Sequence, residues 1–105
     1  MNWHTRQERE TIKRMGGRPL IKYGTDGLLN GRPVEVRSCR KDNRYRIQED
    51  VHRRLVGQHG SYILCAGGRT KRVSARRVSR LLGRGKWFKD RSYPHKFLKK
   101  SQVFQ

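Results

Sequence analysis

Asp26, Glu35 and Arg37 are the residues of this 105-residue chain whose types and spacing could do chemistry. They sit in the stretch Asp26-Gly27-Leu28-Leu29-Asn30-Gly31-Arg32-Pro33-Val34-Glu35-Val36-Arg37. Two carboxylates supply hard oxygen ligands that hold Mg²⁺ (or Mn²⁺) together with a substrate phosphate, and a neighbouring cation offsets charge on that phosphate. The competing reading is a hairpin with a polar, solvated face, on which the three side chains pair with one another.

For these groups to meet, the chain must turn back between them. Asn30-Gly31 is the strongest short hairpin signal, because both central positions tolerate positive φ. Strand alternation then puts Glu35 and Arg37 on one face and Val34 and Val36 on the other, while the turn folds Asp26 back towards Glu35. Upstream, Thr5-Arg6-Gln7-Glu8 has the form of a capping box and predicts a helix from Thr5 to about Met15, stopped by Gly16-Gly17. Its apolar face is thin: Trp3 before it, then Ile12 and Met15. Leu20 to Tyr23 begins a first strand that passes Gly24 and reaches Asp26.

The second strand runs from Val34 to Cys39. A basic corner follows at Arg40-Lys41-Asp42-Asn43-Arg44, and Tyr45-Arg46-Ile47 is a short third strand. Ile47, Val51 and Leu55 recur at four-residue intervals with Val56 beside them, a helix stripe that starts at Gln48 and ends at Gly57 or Gly60. Ser61 to Ala66 is a continuous apolar run, the pattern of a strand buried on both faces. The strand–helix–strand succession puts it in the middle of the sheet. After a turn at Gly67-Gly68, the spacing of Ala75, Val78 and Leu82 predicts a strongly basic helix over 70–82, closed by Gly83 and Gly85. Residues 86–105 mix aromatics with Lys and Arg, and Pro94 argues against a helix there; no regular structure is expected.

Composition sets the class of partner. Twenty-seven Lys and Arg against eight acids give a net charge of +19, the electrostatic footprint of a phosphate-backbone binder. The charge is uneven: residues 66–105 hold thirteen Lys/Arg and one acid (Asp90), net +12, whereas residues 1–65 hold fourteen and seven, net +7. DNA is the expected partner, with RNA possible. Arg40, Lys41, Arg44, Arg72, Arg76, Arg77, Arg80, Lys86 and Lys89 are the candidate phosphate contacts. Trp87 and Phe88, set between Lys86 and Lys89, suit base stacking, although Trp87 is better explained as a cap on the core or a dimer interface. The chain has no apolar run near the length of a membrane span and no signal-peptide pattern, so no membrane and a cytoplasmic location are expected. Cys39 and Cys65 are expected as reduced thiols, and the four histidines lack zinc spacing. A hydrophobic fraction of 32% limits the core to one sheet with a helix or two, in one domain spanning 1–105, and a homodimer would add stability.

The order helix, strand to an Asp, hairpin, strand with Glu-x-basic, short strand, helix, buried strand resembles the PD-(D/E)XK nuclease superfamily, and within it the small archaeal Holliday-junction resolvases. The resemblance covers about residues 5–66; 67–105 would be a basic C-terminal helix and tail. It implies an α/β, restriction-endonuclease-like αβββαβ core with a mixed sheet, and metal-dependent hydrolysis of DNA phosphodiesters, on junction or branched DNA. The family's metal-binding acids fall on Asp26 and Glu35, with the backbone carbonyl of Val36 as a further ligand. Its closing Lys falls on Arg37. Gln48 matches a glutamine that opens the following helix, and Glu8 or Glu10 an acid of the first helix. Arginine stays protonated near neutral pH and cannot act as a general base, but it clamps a phosphate oxygen. The alternatives are a catalytically silent DNA- or RNA-binding protein and an RNA binder of the ribosomal type.

Overall fold

Val34 and Val36 alternate with Glu35 and Arg37, and this alternation makes the strand at the centre of the molecule. In the computed structural model, which describes residues 3–20 and 26–104, that strand is the third of seven. The elements run α1 (Trp3–Arg14), β1 (Arg18–Pro19), β2 (Gly27–Leu29), β3 (Arg32–Ser38), β4 (Arg44–Gln48), α2 (Glu49–Gly57), β5 (Ser61–Ala66), β6 (Arg69–Ser74), α3 (Ala75–Leu82), β7 (His95–Lys99) and α4 (Lys100–Val103). Five strands form a mixed sheet of order β1-β2-β3-β5-β6, in which β3 and β5 are parallel and every other pair is antiparallel. A separate antiparallel ribbon joins β4 to β7. The result is a compact α/β fold with a radius of gyration of 13.1 Å, close to the roughly 13 Å of a single domain of about 100 residues.

Each face of the sheet has its own core. Ile12 of α1 packs with Leu29, Val34, Val36 and Ile63 on one face. On the other, Tyr62, Leu64 and Val73 meet Leu55 of α2, Ala75 and Val78 of α3, Tyr45 and Ile47 of β4, Leu98 of β7 and Val103 of α4. Strand β5 feeds both cores, Ile63 to one side and Tyr62 and Leu64 to the other, which is why its sequence is apolar without alternation. Residues beyond Ala66 are thus not confined to the surface, since the second core depends on five of them. The α1 helix approaches β2 so closely that a Cβ at Gly27 would lie 2.8 Å from Ile12 Cδ1 and 2.7 Å from the carbonyl oxygen of Arg18. No residue larger than glycine fits beside Asp26.

The hairpin, the buried central strand and the α2 stripe are as expected from sequence, and Asn30 (φ 53°) and Gly31 (φ 75°) take the paired left-handed geometry of a two-residue turn. Four expectations change, and a fifth lies mainly outside the described residues. Helix α1 begins at Trp3, so Thr5 and Glu8 stand inside it; a Thr and a Glu three apart suit one helix face as well as a cap. The first strand expected over Leu20–Tyr23 falls mainly on residues 21–25, outside the described residues; the described pairing is Arg18↔Leu28 and Pro19↔Gly27. The third strand, β4, leaves the main sheet to pair with β7, so the parallel partner of β5 is β3.

The helix expected over 70–82 is half strand. Gly67 (φ 52°) and Gly68 (φ 81°) form a second tight hairpin turn that returns the chain along β5 as β6. Only at Ser74, whose hydroxyl accepts a hydrogen bond from the Arg77 N–H at 3.1 Å, does α3 begin. A Gly-Gly pair directly after the apolar run of β5 is a hairpin signal stronger than the helical spacing of the residues beyond it. The tail is also ordered: Pro94 immediately precedes β7, a position where the missing N–H costs no ladder bond, and its carbonyl accepts the Glu49 N–H at 2.9 Å.

Candidate functional site

Extending the β2–β3 register by one step beyond Gly27↔Val34 sets Asp26 across from Glu35. Cross-strand partners point to the same side, which here is the side opposite Val34 and Val36. Asp26 is fixed there by its backbone neighbour: its Oδ2 accepts a hydrogen bond from the Val36 N–H at 2.8 Å. Glu35 is held by burial, its side chain only 6% exposed. The tight turn therefore delivers both carboxylates into one place.

Arg37 lies between them. Its Nη1 donates to Glu35 Oε2 at 3.1 Å and to the Val36 carbonyl oxygen at 2.9 Å, and stands 3.6 Å from Asp26 Oδ2. One cationic nitrogen is thus surrounded by the three oxygen sources that the sequence nominates as metal ligands. Burial and the negative charge of Asp26 push the Glu35 carboxyl up to about 8, against the opposing pull of Arg37. The two acids and Arg37 form one cluster, in which the guanidinium already sits against both carboxylates.

Tyr62, the register partner of Glu35 on β5, lies beneath the acids. Burial raises its phenol above the ordinary value, with the charge of Arg37 opposing and that of Glu35 adding. Its hydroxyl is 3.0 Å from His52 Nδ1, and His52 Nε2 is 2.6 Å from Ser79 Oγ. This polar chain from β5 through α2 to α3 was not foreseen. The available signal was a histidine on the buried stripe between Val51 and Leu55, a position where a polar side chain needs a partner. Burial, with Lys96 and Arg53 nearby, lowers the His52 pKa and keeps the ring neutral.

The remaining nominated residues divide. Gln48 is the N-cap of α2 and sits on the β4–β7 ribbon, with no side-chain capping bond. Glu8 and Glu10 line a cleft of about 820 Å³ on the α1 side of the sheet, with Val36, Cys65 and Arg69 also on its wall. Among the described residues no cluster of three or more His, Cys, Asp or Glu side chains is placed to hold a metal; the acids meet as a pair. Cys39 and Cys65 are free thiols, half-buried where the sequence suggested burial. Arg76, Arg77 and Arg80 are exposed along α3, Lys41, Lys86 and Lys89 are exposed in loops, and Arg72 is exposed on the edge strand β6. Arg40 and Arg44 flank Asp42, with Arg44 at 2.7 Å. Trp87 packs against the second core, as the core-cap reading has it, with Lys96 Nζ 4.9 Å from its ring centre. Among the described residues no helix is long and apolar enough to cross a membrane.

No known protein family, curated protein or solved structure matches the chain. The chemistry of the site rests on its own atoms.

Proposed function

We propose that this chain is a metal-dependent nuclease of the PD-(D/E)XK type that hydrolyses DNA phosphodiester bonds, with branched or junction DNA as the favoured substrate. One observation carries this reading: Asp26 Oδ2, Glu35 Oε2 and the Val36 carbonyl converge within 3.6 Å of a single cationic nitrogen. The mixed sheet, with α1 ahead of the β2–β3 hairpin and β5 parallel to β3 after α2, is compatible with this reading. Two carboxylates and a carbonyl fit Mg²⁺ or Mn²⁺, hard ions that take one or two acids and leave room for substrate phosphate. When bound, such an ion polarises the phosphate and lowers the pKa of the attacking water.

The side chains do the rest. Asp26 and Glu35, the latter after giving up its proton, would hold the ion, Asp26 with its geometry set by the Val36 N–H. Arg37, tethered on the same strand, binds the non-bridging phosphate oxygen and offsets the charge that develops there. Its guanidinium does not exchange protons near neutral pH, so proton transfer falls to solvent. The exposed arginines of α3 hold the backbone of the polynucleotide without reading its sequence. Incubation of the protein with plasmid and with branched DNA, in Mg²⁺ or in EDTA, is the test. Cleavage is expected only with Mg²⁺, and Glu35→Gln is expected to bind DNA without cutting it. Cutting by Glu35→Gln at the wild-type rate removes the assignment.

A second reading is favoured by one specific feature, the Arg37 salt bridges to both acids. In it those bridges replace the metal altogether, and the protein binds DNA or RNA without cutting. Absence of cleavage by the wild-type protein with either Mg²⁺ or Mn²⁺, with binding retained, selects this reading.

A further inference from the structure

The ribbon of β4 and β7 presents two unlike faces. Tyr45, Ile47 and Leu98 point inward and are fully buried in the second core. By alternation Arg44 and Arg46, with Phe97 paired across from Arg46, point outward. Phe97 does not stand alone there. Its ring makes an edge contact with His95 at 5.1 Å, and His95 makes another with Phe88 at 5.4 Å, so that three rings form a row. Phe88 is pinned to the ribbon by a reciprocal pair of backbone hydrogen bonds with His95, both 2.9 Å. The row ends in open solvent at Phe88; Phe88 and Tyr93, whose carbonyl oxygen lies 3.0 Å from His95 Nδ1, are each 62% exposed and are the large hydrophobic side chains left uncovered among the described residues.

Cations are interleaved with the rings. The Arg44 guanidinium carbon lies 3.8 Å from the Phe97 ring centre and that of Arg40 lies 5.1 Å away. Arg46 reaches Ser92 and approaches His95 Nδ1 at 3.3 Å. The two acids in this region are already engaged, Asp42 by Arg44 and Asp90 by the hydroxyl and N–H of Ser92. Two exposed rings, Phe88 and Tyr93, beside a half-buried Phe97 that carries guanidinium groups over it, match what unpaired bases require: a π-face to stack on and positive charge for the strand that carries them. A duplex keeps its bases stacked inside and has no use for such rings. A second copy of this chain is disfavoured, because it would set Arg40, Arg44 and Arg46 against their own like charges in a protein of net charge +19.

We infer that the outer face of the β4–β7 ribbon is a stacking platform for an unpaired nucleic-acid strand, built on Phe88, Tyr93 and Phe97 and flanked by Arg40, Arg44 and Arg46. The inference rests on the nucleic-acid reading above and deepens it, since the favoured substrate then carries a single-stranded segment.

The test is fluorescence anisotropy in EDTA, where no cutting intervenes, with a labelled oligothymidine and a blunt duplex of equal length. Phe88→Ala/Tyr93→Ala changes only exposed side chains, and Phe97→Leu keeps apolar bulk while removing the ring. Both are expected to weaken single-strand binding by a factor on the order of ten and to leave duplex binding unchanged. Equal loss on both ligands, or loss on neither, overturns the platform. A wild-type protein that holds the duplex but not the oligothymidine also overturns it, while Mg²⁺-dependent cleavage through Glu35 would stand unaffected. Failure to bind either ligand overturns both readings. Sedimentation of the wild type as a dimer that Phe88→Ala/Tyr93→Ala dissociates, with oligothymidine binding unchanged, gives the face to a second copy and overturns it as well.

Discussion

Asp26 and Val36 are joined across the hairpin by a hydrogen bond, the Val36 N–H donating to Asp26 Oδ2 at 2.8 Å. The bond ties the geometry of the site to the stability of the fold, because Val36 is buried. Asp26→Ala leaves that N–H without its acceptor and is expected to cost about 1–3 kcal/mol. Asp26→Asn keeps a carbonyl oxygen in place and is expected to cost less than half as much. Urea unfolding of the two variants checks the difference; equal losses would mean that charge, not the hydrogen bond, holds the turn.

Glu35 makes stability depend on pH. Its carboxyl is raised from an ordinary 4.5 to about 8 by burial and by Asp26. Between those two values the folded chain keeps the proton while the unfolded chain releases it. Folding therefore weakens as pH rises through this window, and the penalty is complete above about 8. Glu35→Gln lacks this titration. Its stability advantage over the wild type should grow from near zero at acid pH to a limit on the order of 5 kcal/mol in mild alkali. A difference in denaturation midpoint that stays flat across the window would show that Glu35 is ionised throughout.

Arg37 stands among the oxygens that would hold a divalent ion, so the two compete. Arg37→Ala is expected to raise Mn²⁺ affinity in the absence of DNA, measured calorimetrically above the Glu35 pKa of about 8. The gain should be on the order of tenfold, since a charge a few ångströms away shifts an ionic equilibrium by about one to three logarithmic units. The same variant should lose cleavage, because the phosphate loses its clamp. Unchanged Mn²⁺ affinity would place the ion elsewhere.

Duplex binding should follow counterion release. If about six phosphates are contacted, affinity falls on the order of a thousandfold between low and physiological salt. Arg76→Ala/Arg80→Ala, on exposed turns of α3, should reduce the slope of log affinity against log salt by about two. The ring substitutions on the ribbon should leave that slope unchanged. A dissociation constant insensitive to salt would contradict the electrostatic origin of binding.

What the sequence determined by itself was local: Asn30-Gly31 turns the chain, period-two alternation puts Glu35 and Arg37 on one face, and an unbroken apolar run buries β5 on both sides. Each follows from backbone geometry over a few residues, so the meeting of Asp26 with Glu35 was legible before any coordinates. The tertiary structure decided what depends on distant partners. Tyr45–Ile47 has strand character in either sheet, and only the return of His95–Lys99 draws it away from β3. Residues 70–74 satisfy a helical spacing and a hairpin alike, and the open edge of β5, with its unpaired backbone donors and acceptors, settles the choice for a strand. The exact seat of Arg37 was likewise beyond the sequence, because a long flexible side chain goes where oxygens converge, and that convergence exists only once the hairpin has closed.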